Sequence, residues 1–375
     1  MKLLTNLIHR SSKDAVKTVI GPIGLEFSRE AIHMVQLYKD GDGTIRLKAR
    51  ASENYPIPLE ELLCSPKEMK KLVTRMLKQD GFYSNKVISS LPPRRVRLLT
   101  ITYQKNENQD EQQNLVAALA NRLGDNLDEY VIDFLPVRGS AENKNGLAIA
   151  AIAKQDDVIN YLDNLSRCKL DVLSLDINPV AIKRLVCAMS QPGDMANVLI
   201  INIGRMKSYF TMLSGRRMIF DHEFEFGEKY LLKKIASELD ISISEAGKLV
   251  SEYCLNSANY PENDNTILKG EDVFHTIAEI IKPLFIELAD EITRALIYIA
   301  SETRGESPDK IFLVGSIARW KEVDRSINSL LDITVCSIPD PLSAFPRSDQ
   351  NQLVGSGEVS PEVAVATGLA LRGLL

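Results

Sequence analysis

The chain is poor in cysteine, with five in 375 residues, and it contains no Cys-x-x-Cys pair. Cys64, Cys168, Cys187, Cys254 and Cys336 are scattered and odd in number, which argues against a disulfide framework or a zinc knuckle. A reducing compartment fits that usage, with the five thiols as small apolar core residues. The four histidines also lack metal-ligand spacing. Positive charge is not in excess, since the formal net charge is -5 and no basic stripe is visible, so no nucleic-acid partner is expected. No apolar run approaches bilayer length, and no secretory signal is present. The opening MKLLTNLIHR places Leu3, Leu4, Leu7 and Ile8 on one helical face between Lys2 and Arg10. A frayed or packed terminus is the simpler reading of that segment, and a membrane or partner contact is the alternative.

What is there is ordinary globular material, 45% hydrophobic and 25% charged, enough for about two or three domain-sized units. The stretch GLEFSREAIHMVQL, residues 24–37, reads as two strands about the turn Ser28-Arg29-Glu30, with apolar alternation on either side. A third strand, Thr44 to Ala49, follows the turn Asp40-Gly41-Asp42-Gly43. The pattern returns at NVLIINIGRMKSYFTMLSGRRMIF, residues 197–220. There Val198–Ile203 meets the turn Gly204-Arg205-Met206-Lys207, Ser208–Leu213 runs back, and a third strand leaves Ser214-Gly215 at Arg217. Each half thus opens on a three-strand meander.

Helices and a buried strand follow each meander. Ser65-Pro66-Lys67-Glu68 and Ser242-Ile243-Ser244-Glu245 are capping boxes that open helices toward Lys78 and Tyr253. VISSLPP at 87–93 and IFLVGS at 311–316 are short buried strands running into loops. The second lies between a long helical run, Glu271 to Ser301, and a helix expected over Lys321 to Leu331. Strand, loop and helix in that order suit a mixed sheet covered by helices, with a cleft between two similar halves.

The duplicated meander, the strand-then-glycine at 311–316 and the ending PEVAVATGLALRGL together resemble the actin-like ATPase superfamily. Within it the chain is most similar to the PilM group of type IV pilus assembly proteins, through LDVLSLDINPVAIKRL (170–185), FEFGEKYLLKKIASELDISISEAGKL (224–249) and LADEITRALIYIASETRGESPDKIFLVGSIAR (288–319). The resemblance implies an α/β, actin-like (ribonuclease H-like) duplicated two-domain fold. The first domain would span 1–195 and carry a small inserted α/β subdomain near 104–170, whose hairpin holds VIDFLPV and GLAIAAIA about the AENKNG turn. The second would span 196–375 with a helical insertion near 224–272.

An actin-like nucleotide site needs small-residue hairpin turns for the phosphates, acidic groups for Mg²⁺ and water, and a glycine loop for the nucleoside. Carried onto this chain, the family's cofactor-binding positions are Glu26, Ser28, Asn202, Gly204, Gly315 and Ser316, with Glu26 as the one candidate metal ligand. Glu26 keeps a carboxylate on a longer arm, Ser28 stands for glycine, and Arg29 and Glu30 crowd a turn built for small residues. His33 replaces a basic position and is uncharged much of the time near neutral pH. Asn202 stands where the second acid belongs, Arg205 and Met206 replace small residues, and Ile317 would press toward the ligand. Arg205 and Lys207 read first as solvent-exposed turn residues, and Glu26 and Asn202 equally as polar caps of strand ends at a cleft.

ATP and Mg²⁺ are therefore the implied cofactors of a degraded site with weak or absent turnover, and no catalytic residue is assigned. What remains is a cytoplasmic scaffold at the inner-membrane face. It would bind the cytosolic tail of a PilN-type inner-membrane protein and touch the pilus motor ATPase and platform protein. An active actin-like ATPase and the cytoplasmic component of a type II secretion-like system are the alternatives. An FtsA-type membrane anchor is not expected, because GLALRGLL resembles the family's last core helix. A sugar or acetate kinase would need a better-kept phosphate cradle and a base.

Overall fold

The computed structural model describes residues 18–79, 81–92, 94–104, 110–123, 127–137, 145–190, 197–255, 270–303, 307–346 and 360–375. The reading of MKLLTNLIHR lies outside them, as does most of the AENKNG turn.

The first meander is β1 (Val19–Phe27), β2 (Ala31–Lys39) and β3 (Ile45–Asn54). From Ile23 to Phe27 every residue of β1 is buried, because the strand is central and its sheet is covered on both faces. Helices α1 (Leu59–Leu63) and α2 (Pro66–Gln79) lead to β4 (Lys86–Ser90), which pairs parallel with β1. A separate antiparallel layer follows, built from β5 (Val96–Gln104), α3 (Glu111–Leu123), β6 (Tyr130–Val137) and β7 (Asn145–Lys154). Its sheet order is β5-β7-β6, and it has its own small core around Ile101, Tyr103, Leu115 and Leu119. The chain then returns through α4 (Gln155–Arg167) to β8 (Asp171–Asp176) and α5 (Asn178–Met189).

The second meander is β9 (Asn197–Ile203), β10 (Ser208–Ser214) and β11 (Arg217–Phe224). Three helices follow: α6 (Glu228–Glu238), α7 (Ile243–Tyr253) and the 34-residue α8 (Gly270–Thr303). The chain closes with β12 (Lys310–Gly315), α9 (Val323–Asn328), β13 (Thr334–Ser337) and α10 (Ala364–Leu371). The two large sheets have the orders β3-β2-β1-β4-β8 and β11-β10-β9-β12-β13. In each, an antiparallel meander is extended by two parallel strands, so the duplication is present at the level of topology. This is the actin-like arrangement.

Three features differ from the expectation. The small sheet begins at Val96, and α4 does not belong with it: Val158, Tyr161 and Leu165 pack into the core of the first large sheet. The helix expected over Lys321 to Leu331 is reduced to α9, because Glu322 takes a left-handed backbone (φ 57°, ψ 15°) at its N-cap. The last helix, placed by sequence in the second domain, packs instead on the first. All eight residues of α10 are buried, and a helix that is small and apolar all round needs partners on every side. It finds them between α5 and strands β1 and β2. Glycine makes the fit possible, since a Cβ on Gly24 would lie 1.9 Å from the Ala366 carbonyl oxygen. One on Gly368 would lie 1.9 Å from the Ala181 carbonyl oxygen.

Candidate functional site

The β1–β2 turn is closed locally. The Ser28 N–H donates to the Ala31 carbonyl at 3.0 Å, the Ser28 hydroxyl donates to the same oxygen at 2.8 Å, and the Tyr55 hydroxyl donates to it at 2.6 Å. Neither Arg29 nor Glu30 has a positive φ. The turn therefore holds both long side chains without a left-handed backbone, and that of Glu30 leaves it. The Glu30 carboxylate crosses to the second hairpin and meets Arg205 Nε at 2.9 Å.

The β9–β10 turn is built the same way, with the Gly204 N–H donating to the Lys207 carbonyl at 3.0 Å. The outer faces of its carbonyls start α6, because Glu228 N–H donates to Gly204 and Lys229 N–H to Arg205 at 3.1 and 2.9 Å. That anchoring carries the buried Glu228 side chain to the same place. Lys207 is not a free turn residue, being paired with Glu223 and, at 2.7 Å, with Glu225.

β12 ends at Gly315, whose φ of 90° and ψ of −167° belong to a region only glycine enters at low cost. A Cβ there would lie 2.3 Å from the Ile203 carbonyl oxygen and 2.6 Å from Asn202 Oδ1. Ser316 follows, its hydroxyl donating to the Ile203 carbonyl at 3.1 Å. Ile317 is fully buried in the core of the second sheet, against the expectation that it presses on a ligand. The short 3-10 turn Ser316–Arg319 rotates it inward and brings Arg319 to the surface of the cleft instead.

These pieces enclose one cleft of about 480 Å³, within the range of small-ligand sites. Glu26, Ser28, Asn202, Gly204, Gly315 and Ser316 all line it. Sequence reasoning missed Glu228, Arg319 and Glu362, which form a charged group at one wall, and Asn178 at the start of α5. Arg319 lies 3.8 Å from Glu228 and 3.7 Å from Glu362, and the Trp320 indole N–H reaches Glu228 at 3.3 Å. No local pattern marks these residues. The PEVAV segment near the C-terminus carries part of the family resemblance, and Pro361 to Val365 contribute four lining residues.

The electrostatics of the cleft are set by burial. Glu26 accepts a hydrogen bond from the Ala366 backbone, yet loss of water pushes its carboxyl up to about 8, so it is mostly protonated at neutral pH. Burial pushes the His33 imidazole down to about 4, and its Nδ1 pairs with the Ser52 hydroxyl at 2.9 Å. It is a neutral hydrogen-bonding group and supplies no positive charge.

Six buried side-chain polar atoms among the described residues have no partner, and four belong to this cleft: Glu26 Oε2, Arg29 Nη2, Asn178 Oδ1 and Arg319 Nε. Each such atom costs about 1–3 kcal/mol if left unpaired, so their concentration here marks a place for a polar, charged ligand. The glycine cradle and the two guanidiniums fit the anionic part of a nucleotide. They do not fit a carboxylate-held magnesium ion, which takes hard oxygen ligands. Glu26 is the single acid at the two family positions, Asn202 is an amide, and no three acidic, histidine or cysteine side chains converge among the described residues.

Comparison with known proteins agrees with the topology. The chain superimposes on a chain of a solved "PilM-PilN type IV pilus biogenesis complex" with a TM-score of 0.71 at 22% identity, covering 95% of this chain and 99% of that one. It also matches the ethanolamine utilization protein EutJ from Carboxydothermus hydrogenoformans, with a TM-score of 0.54 at 11% identity, covering 96% and 94% of the two chains. At these identities the likeness establishes the fold. The family model described as type IV pilus assembly protein PilM matches residues 24–374, from the first hairpin to the end of the last helix, and the chain therefore belongs to the PilM family of type IV pilus assembly proteins.

Proposed function

We propose that this protein is a cytoplasmic scaffold of a type IV pilus assembly platform, held at the inner-membrane face by the cytosolic tail of a PilN-type protein. The observation that carries the reading is the family match over residues 24–374, together with a superposition that covers 95% of the chain. No described helix is long and apolar enough to cross a membrane, which agrees with attachment through a partner. The scaffold would link that tail to the motor ATPase and platform protein. In this reading the inserted subdomain is Val96–Lys154, and the first domain is completed by α10 from the far end of the chain.

The cleft between the hairpins is the nucleotide site of this scaffold, with ATP as its ligand. The two halves meet through it, so an occupied cleft fixes their relative position. Hydrolysis is slow or absent, because a protonated Glu26 and the amide of Asn202 cannot hold and activate a water as two carboxylates would.

The experiment is co-purification of the full chain with the tagged cytosolic tail of a PilN-type protein. A complex of fixed stoichiometry surviving gel filtration is the expected result; free elution of the chain would overturn the scaffold reading. Phosphate release from ATP at a rate typical of working enzymes, of order 1 s⁻¹ or faster, would overturn the claim of weak turnover.

A further inference from the structure

Four cations line the cleft: Arg29, Arg205, Lys207 and Arg319. Three are already engaged. Lys207 is shared by Glu223 and Glu225, Arg205 is paired with Glu30, and Arg319 Nη2 lies between Glu228 and Glu362. Arg29 differs. It stands at the tip of the first hairpin, its Nη2 is buried without a partner, and it faces the second hairpin closely enough to bias Glu223 and Tyr209 electrostatically. Glu223 is itself occupied by Lys207 and by the Tyr209 hydroxyl, which donates to it at 2.8 Å. Nη2 of Arg29, a residue that lines the cleft, therefore retains donor capacity.

The acids nearest to it on the two hairpins are committed elsewhere. Asn202 is an amide, so Glu26 is the single carboxylate at the two family positions, and Glu30 and Glu223 are spent on Arg205 and Lys207. A single uncommitted carboxylate is left at those two positions to hold a divalent cation, while a planar donor group suited to phosphate stands at the tip of the first hairpin. A resident magnesium ion held by two carboxylates would serve to neutralise a polyphosphate; here the Arg29 guanidinium, in the lining of the cleft, carries a charge of the sign to do so.

We propose that this chain binds the polyphosphate of a nucleoside di- or triphosphate through the guanidinium of Arg29, so that its nucleotide affinity does not depend on a divalent cation. The proposal rests on the nucleotide reading of the cleft and adds the means of charge neutralisation. An incoming phosphate would also compete with Glu30 for Arg205, loosening the one ion pair that joins the two turns.

The test is isothermal titration of the full chain with ATP, once with magnesium and once with EDTA. The expected dissociation constants agree within about fivefold, and Arg29→Gln weakens binding about tenfold or more in both buffers, with Arg29→Lys in between. A larger loss in EDTA overturns the inference and leaves the nucleotide reading standing, as does an Arg29→Gln variant that binds like the parent. No binding in either buffer removes the nucleotide reading and this inference with it. Thermal unfolding without ligand checks that Arg29→Gln folds; should it not, the comparison of the two buffers on the parent protein still decides.

Discussion

Glu26 and His33 face each other across the β1–β2 pair, and burial shifts them in opposite directions. A carboxyl raised to about 8 binds its proton more tightly in the folded than in the unfolded chain. Its contribution is complete below about 4.5 and is lost as pH rises to about 8. A histidine lowered to about 4 does the reverse, contributing fully above about 6.5 and losing that contribution as pH falls to about 4. Between about pH 4.5 and 6.5 these two slopes oppose each other, and Asp221, pushed by burial from 3.8 up to about 7, leaves a net fall of stability with rising pH. Above that, Glu26 acts without its counterweight up to about pH 8, while the slope of Asp221 ends near pH 7. Urea unfolding should therefore show stability falling between about pH 6.5 and 8, by at most about 1.4 kcal/mol per pH unit from Glu26. Glu26→Gln should remove that part of the slope; an unchanged profile would mean that the carboxyl is hydrated in the folded protein.

At the scale of elements, the tightest constraint is the seating of α10 against β1 and α5. Gly24→Ala places a methyl group into the Ala366 carbonyl and Gly368→Ala into that of Ala181, and in both cases the obstacle is backbone, which cannot rotate away. Each substitution should cost about 2–3 kcal/mol in equilibrium unfolding, and a loss under about 1 kcal/mol would show that the helix can lift off the sheet. The α7 capping box offers a milder test. The Ser242 hydroxyl accepts from the Glu245 N–H at 3.2 Å, and the Glu245 carboxylate accepts from the Ser242 N–H at 2.9 Å. Ser242→Ala should cost about 1 kcal/mol, with the far-UV circular dichroism of the folded state unchanged. Both meanders, the capping box and the long α8 were legible in the sequence because each is a local pattern. α9 was not, because what shortens it is a left-handed Glu322 that no periodicity reveals. The seat of α10 was equally hidden, since a uniformly apolar helix carries no direction.

Across the whole molecule, Glu30 and Arg205 tie the two halves at their turns. Arg205 is 60% exposed, so the pair is a weak clasp and not a lock. A double-mutant cycle of Glu30→Ala and Arg205→Ala should give a coupling below about 1 kcal/mol that disappears in high salt. Coupling well above that would mean the clasp itself sets the position of the halves. Under the proposed function that position is set by the ligand, and saturating ATP at about 100 times its dissociation constant should stabilise the fold by about 2.7 kcal/mol.

The sequence alone determined the duplicated α/β architecture and six positions that line one cleft, because strand alternation, turn residues and family motifs are properties of contiguous chain. Which side chains face that cleft with unmet hydrogen-bonding capacity was decided only by the tertiary structure. Ile317 lies in a glycine loop beside the site, yet a short turn buries it and presents Arg319. Arg29 reads in sequence as damage to a phosphate turn, yet its Nη2 is one of four buried polar atoms of the cleft residues without a partner. Burial, charge pairing and orphaned donors arise between segments as distant as Glu26, Asn178 and Arg319, and no linear spacing records them.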